Sequence, residues 1–186
     1  HAMDPPYQWT KQVASHLGGT RVGMIVHWPA GIEQEGGVRN DWRHVNDIYP
    51  TVLEALGLPV PETVVGVAQQ RLDGTSMTDT FAADTVRESG VVQYFEMFGN
   101  RGIYADGWSA CTKHGTPWSS ADTPAFADDR WERYAPDDWT QVHDLAAQMP
   151  EKLRELKELF DREAVANKVY PLDDRRKQLF NPDIAG

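Results

Sequence analysis

Three things are scarce in this sequence, and each scarcity closes a line of function. It holds one cysteine, Cys111, in 186 residues, so no intrachain disulfide can form and the thiol gives no guide to the redox compartment. No stretch approaches the roughly 20 consecutive apolar residues that a membrane-spanning helix needs, and mean hydropathy is -0.56. Basic charge is thin: 18 Lys and Arg stand against 28 Asp and Glu, a formal net charge of -10. Phosphate-backbone binding depends on clustered Lys and Arg, so the charge argues against non-specific nucleic-acid binding and against an acidic membrane surface as a partner. An anionic small substrate stays open, because a cleft's local field can differ from the net charge. The opening residues, His1 to Pro6, form neither a signal nor a transit peptide and read as the interior of a longer protein. A tag remnant is the alternative for the first three. Localisation has no signal here.

What is present is ordinary for a globular domain: 40% hydrophobic and 25% charged residues. Seven Trp, six Tyr and six Phe place much of any core on aromatics. Arg21 to Trp28 reads as a strand, bracketed by Gly18-Gly19 and Pro29-Ala30-Gly31. Asn46 to Gly57 reads as a helix, with Asn46 or Asp47 able to cap it, Ile48, Val52, Leu53 and Leu56 on one face, and Gly57 and Pro59 as its stop. Residues 58–74 read as loop and 76–82 as a short helix. Val91 to Met97, Arg101 to Ala105 and Trp108 to Thr112 read as strands, the last two joined by an Asp106-Gly107 hairpin. A surface loop over 113–130 leads to a short strand at Trp131 to Tyr134. Pro150 opens a helix to about Asn167, with Leu153, Leu156, Phe160 and Ala164 at helical spacing and Glu158 and Arg162 placed for an outer ion pair. An antiparallel meander with one face covered by this helix is an α/β (α+β) arrangement.

Several segments carry a family resemblance. They are Lys11 to Val22 with Gly18-Gly19-Thr20-Arg21, continuing to Trp28-Pro29; His44-Val45-Asn46-Asp47 with Pro50-Thr51; Asp73-Gly74-Thr75-Ser76; Phe95 to Tyr104 with Asp106-Gly107-Trp108; and His143-Asp144-Leu145 before the last helix. In number, order and spacing over residues 7 to 172 they resemble the type I sulfatases (arylsulfatases) of the alkaline-phosphatase-like superfamily, C-terminal portion only. On that resemblance residues 1–85 end the catalytic domain with a lysine loop, strand and helix. Residues 86–172 form a C-terminal antiparallel-sheet subdomain with its final helix, and 173–186 a polar tail.

The resemblance implies a parent enzyme that hydrolyses a sulfate ester to alcohol or phenol and sulfate. Such enzymes use calcium and a formylglycine made from Cys in a Cys-x-Pro-x-Arg motif. Cys111, followed by Thr112-Lys113-His114, has no Pro or Arg at those offsets and reads as a small packing residue in a strand. No metal ligand of the family falls on this chain, and Asp173-Asp174 reads as a solvated acidic turn. The nucleophile and metal ligands are expected upstream, in the missing N-terminal part of the enzyme, which is the expected partner, and the fragment is expected to be inactive alone.

Lys11 corresponds to the family's active-site lysine, which contacts the sulfate near the ester oxygen. Six residues separate it from Gly18, one more than the family's commonest form. His16 is a candidate hydrogen-bond donor to the same cleft, with a structural histidine as its alternative. Gly18 and Gly19 are expected to permit a turn that aims Lys11 inward, and Arg21 to anchor that turn through hydrogen bonds. His27 and His44 read as structural. Tyr94, Phe95, Phe98, Trp108 and Trp131 read as core before they read as an aryl pocket, and Glu96 and Asn100 as candidates for a cleft rim. Two other functions remain open: a phosphodiesterase or phosphonate monoester hydrolase of the same superfamily, and a non-catalytic structural or binding module.

Overall fold

The computed structural model describes residues 5–32, 36–82, 90–119, 123–175 and 183. In chain order the elements are α1 (Leu17–Thr20), α2 (Ile48–Ala55), β1 (Thr63–Val64), β2 (Val67–Ala68), β3 (Val92–Met97), β4 (Asn100–Ala105), β5 (Trp108–Thr112), β6 (Trp131–Tyr134) and α3 (Pro150–Ala166). They fall into two compact units, His1–Gly23 with Gly90–Gly186, and Met24–Ser89.

The first unit is built on an antiparallel meander, β3-β4-β5-β6. Its first two turns hold two residues each, all at positive φ: Phe98 at 54° and Gly99 at 80°, Asp106 at 47° and Gly107 at 88°. That backbone matches the right-handed twist of the strands it joins. Asp106 adds a second function, since its carboxylate accepts the N–H groups of Gly90 at 2.7 Å and Val91 at 3.2 Å and so pins the approach to β3. Glu96 does the same for the other turn, accepting Gly99 N–H at 2.8 Å. The carboxylate expected at a cleft rim is therefore a turn brace.

Side chains alternate across the meander. One face carries Tyr94, Ile103, Trp108, Ala110 and Trp131 onto α3, whose Leu156, Phe160 and Ala164 complete the buried core. α3 begins at Pro150, whose missing N–H costs nothing in a first turn. Burying Phe160, edge-on to Trp131 at 5.7 Å, is worth about 1.5–3 kcal/mol. Tyr94, Trp108 and Trp131 are thus core residues. Arg133 is buried on the same face, its guanidinium 4.5 Å from the Trp108 ring centre, and burial lowers its pKa against the pull of Asp144. The outer face of α3 pairs Arg154 with Glu151 and Glu158, and Lys152 with Glu155. Among the described residues the expected Glu158–Arg162 pair does not form; Glu158 instead meets Arg154, one turn earlier, at 3.8 Å.

In the second unit the sequence expectations change more. A 3-10 turn, Val45–Asp47, precedes α2, and a capping box closes it: His44 Nδ1 accepts from Asn46 N–H at 3.3 Å, while Asp47 accepts from His44 N–H at 2.9 Å. Asp47 also accepts from Thr75 N–H at 2.8 Å, so the Asp73–Ser76 turn seats on the start of this helix. Gly57 at φ 66° ends α2 as expected. The buried residue of α2 is Thr51, and Ile48, Val52 and Leu56 are exposed. Residues 63–68 form a small hairpin turned at Val65 and Gly66, and 78–80 a single 3-10 turn.

Arg21 to Trp28 is the clearest departure. It takes part in no strand pairing among the described residues, with Val22 88% and Ile25 95% exposed. A strand exists only through a neighbour that takes its N–H and C=O groups, and no described segment offers itself.

Candidate functional site

The meander's second face builds the site. Cys111 and Glu132 are direct partners across β5 and β6, and Ser109 and Tyr134 are the next pair on that face. Residues 5–21 lie over it. Gly102 makes the approach close: a Cβ there would stand 3.0 Å from the Ser15 carbonyl oxygen and 3.2 Å from that of Ala14. Two glutamine contacts fasten the loop's ends, Gln8 donating to the Gln141 carbonyl and Leu17 N–H donating to Gln141 Oε1 at 2.7 Å.

His16 is 1% exposed and sits at the centre of this contact. Its Nε2 lies 2.9 Å from Glu132 Oε2 and 3.6 Å from Cys111 Sγ, and its Nδ1 lies 2.9 Å from Ser15 Oγ. A neutral ring satisfies both ends when Nε2–H donates to the carboxylate and Nδ1 accepts from the serine hydroxyl. Glu132 also accepts from Tyr134 Oη at 3.0 Å. The bond from His16 holds the Glu132 carboxyl below the usual range, with burial opposing and Tyr134 assisting. Burial, and then the Glu132 and Asp144 charges, push the Cys111 thiol well up. Tyr134 moves up as well, first by burial. This group is a polar network, buried at His16, Cys111 and Tyr134 and reaching solvent through Glu132.

Lys11 stands on the same loop and is exposed. The loop around it is tightly folded, with Trp9 at φ 66° and Gln12 at φ 72°. Gly18 and Gly19 lie in α1, and what they supply is room. A Cβ on Gly18 would stand 2.2 Å from the Gln8 carbonyl oxygen, and one on Gly19 2.1 Å from that of Val13. The expected turn is thus a helical one onto which residues 8–13 fold back directly. Arg21 braces it through a backbone N–H bond to Leu17 at 2.7 Å and a guanidinium placed 5.4 Å from the Tyr7 ring centre.

A solved structure from Bacteroides thetaiotaomicron, titled for the metabolism of multiple glycosaminoglycans and labelled BT33336S-sulf, aligns over 82% of this chain with a TM-score of 0.59 and 22% identity. The chain has the fold of a sulfatase C-terminal part. It spans 31% of that structure's length. A second structure, titled as BT4656 in complex with its substrate D-glucosamine-2-N,6-O-disulfate, aligns over 69% of this chain and 25% of its own, with a TM-score of 0.44 and 17% identity. No protein-family model and no curated sequence matches the chain.

Two described groups bear on the calcium and formylglycine that the resemblance implies, and neither suits them. Cys111 is buried in the middle of a sheet and its sequence lacks the Pro and Arg of the modification motif. The His16, Cys111 and Glu132 group offers a thiol and an imidazole, which hard cations such as calcium disfavour. Asp173 is held near a pKa of about 2 by Arg175. Asp174 is more than a solvated turn residue, since it lies 3.4 Å from Nε2 of the buried His114. His114 in turn meets Asp129 at 2.8 Å and stacks on Phe126 at 4.1 Å, and Asp129 binds Arg101. Asn100, expected at a cleft rim, is buried and accepts the His114 N–H at 3.1 Å. His27 is exposed. Cys111, Glu132, Ser15 and Tyr134 carried no sequence signal of their own. The register of β5 and β6 puts Cys111, Glu132 and Tyr134 on one face, and the loop over that face brings Ser15 with His16.

Proposed function

We propose that this chain is the C-terminal part of a sulfuric ester hydrolase of the arylsulfatase type, and that Lys11 is its contribution to the chemistry. The observation that carries this reading is the setting of Lys11. It is an exposed ammonium on a loop whose two ends are hydrogen-bonded to Gln141, in the turn that follows β6. A cation carried on such a loop can neutralise an anionic sulfate oxygen, or the ester oxygen as its bond to sulfur breaks and it leaves as alkoxide or phenoxide. His16, buried and satisfied on both nitrogens, is a positioning residue that holds the loop. Nucleophile and calcium would come from other parts of a longer polypeptide.

The test has two arms. The chain of 186 residues, given calcium and an aryl sulfate, is expected to show no turnover. In the longer polypeptide, Lys11→Ala is expected to lower kcat/KM by roughly 10²–10³-fold, the usual cost of one charge-stabilising contact. Turnover by the short chain alone, or undiminished activity in Lys11→Ala, would overturn the reading.

A further inference from the structure

We propose that His16, Cys111 and Glu132 form a three-ligand site for a zinc-class divalent cation, one that ties the Lys11 loop to the sheet. The three ligand atoms lie within 4.8 Å of one another. Tetrahedral zinc, with bonds of about 2.0–2.1 Å to nitrogen and 2.3 Å to sulfur, sets those two atoms about 3.6 Å apart. His16 Nε2 and Cys111 Sγ are 3.6 Å apart. Nitrogen and oxygen ligands of one zinc stand about 3.3 Å apart, so the Glu132 oxygen, now 2.9 Å from Nε2, would draw back by a few tenths of an ångström as the metal replaces the shared proton.

The surroundings suit that replacement. With Nε2 on the metal, the Nδ1 proton has a ready acceptor in Ser15 Oγ at 2.9 Å, the outer contact that fixes a ligating imidazole. Tyr134 Oη, 3.0 Å from Glu132 Oε2, orients the carboxylate in the same way. A thiolate and a carboxylate facing a doubly charged cation leave the buried group neutral, the condition under which charge is tolerated away from water. Glu132, with its side chain 32% exposed, is the ligand that reaches solvent and gives an ion its way in. Thiolate with imidazole selects zinc over calcium or magnesium. Two of the ligands are fixed by strand register and the third arrives from 95 positions away in sequence, so occupancy would act as a staple.

The single cysteine makes the test clean. Titrating the reduced chain with cobalt(II) is expected to give one bound ion per chain and a near-ultraviolet thiolate-to-cobalt charge-transfer band, which zinc then abolishes by displacement. Only Cys111 can produce that band. Cys111→Ser is expected to lose it, and Ser15→Ala to keep it with affinity lowered roughly 10-fold, as for other outer-contact losses. Zinc is expected to raise the unfolding midpoint of the unsubstituted chain, and calcium to leave it unchanged. That measurement stands even where a variant fails to fold. Absence of the band in the unsubstituted chain, its persistence in Cys111→Ser, or an unfolding midpoint insensitive to zinc would each overturn the proposal.

Discussion

His16 and Glu132 meet at 2.9 Å across 116 positions of sequence, a hydrogen bond that joins residues 5–21 to β6. Because the bond holds the Glu132 carboxyl below its usual range, it links stability to acid. A carboxyl whose folded pKa is depressed adds stability that is present above its unfolded value, about 4.3 for Glu, and lost as pH falls through the folded value. Glu132→Gln is therefore expected to be less stable than the unsubstituted chain at pH near 7 and to lose less on acidification. Urea unfolding at neutral pH and again below the unfolded carboxyl value checks this, and parallel pH dependences would contradict it.

Cys111 predicts the opposite limb. Its thiol is raised, so the folded chain keeps a proton that the unfolded chain releases above about 8.5. Stability is present below that value and declines as pH rises through the interval towards the folded pKa. Thermal unfolding between neutral pH and moderately alkaline pH is expected to show this decline in the unsubstituted chain, with a weaker decline in Cys111→Ala. The same burial predicts that a thiol reagent reacts with the folded chain far more slowly than with the unfolded one.

Gly18→Ala and Gly19→Ala test the seat of the Lys11 loop. In each the added methyl meets a backbone oxygen at 2.2 or 2.1 Å, and backbone has no rotamer to escape into. A loss of about 1–3 kcal/mol is expected, the usual cost of overpacking, together with faster proteolysis within residues 5–21. Gly23→Ala is the control, since nothing lies within 4 Å of its added Cβ, and it is expected to change neither readout.

Local chemistry made much of the fold legible. Pro150 with Leu153, Leu156, Phe160 and Ala164 marks α3, and Asp106-Gly107 marks the β4–β5 turn, because cap, period and turn type are written in adjacent residues. The Phe98-Gly99 and Val65-Gly66 turns were hidden by a bulky residue at a position of positive φ, which sequence preference argues against. Arg21 to Trp28 has the composition of a strand, but composition cannot supply a partner. At the site, the Lys-Gly-Gly-Arg spacing pointed to residues 11–21. The network of His16 with Cys111 and Glu132 depends on contacts across 95 and 116 positions, and nothing local to those residues announces them.

The first unit joins residues from the two ends of the chain, His1–Gly23 and Gly90–Gly186. A ribosome delivers the Lys11 loop early and its platform late, since Glu132 and Gln141 follow more than a hundred residues behind. Until then His16 lacks Cys111 and Glu132, the partners it meets in the folded unit. Contacts of such long sequence separation form slowly. The lysine loop therefore acquires its seat only once β6 and the Gln141 turn have emerged.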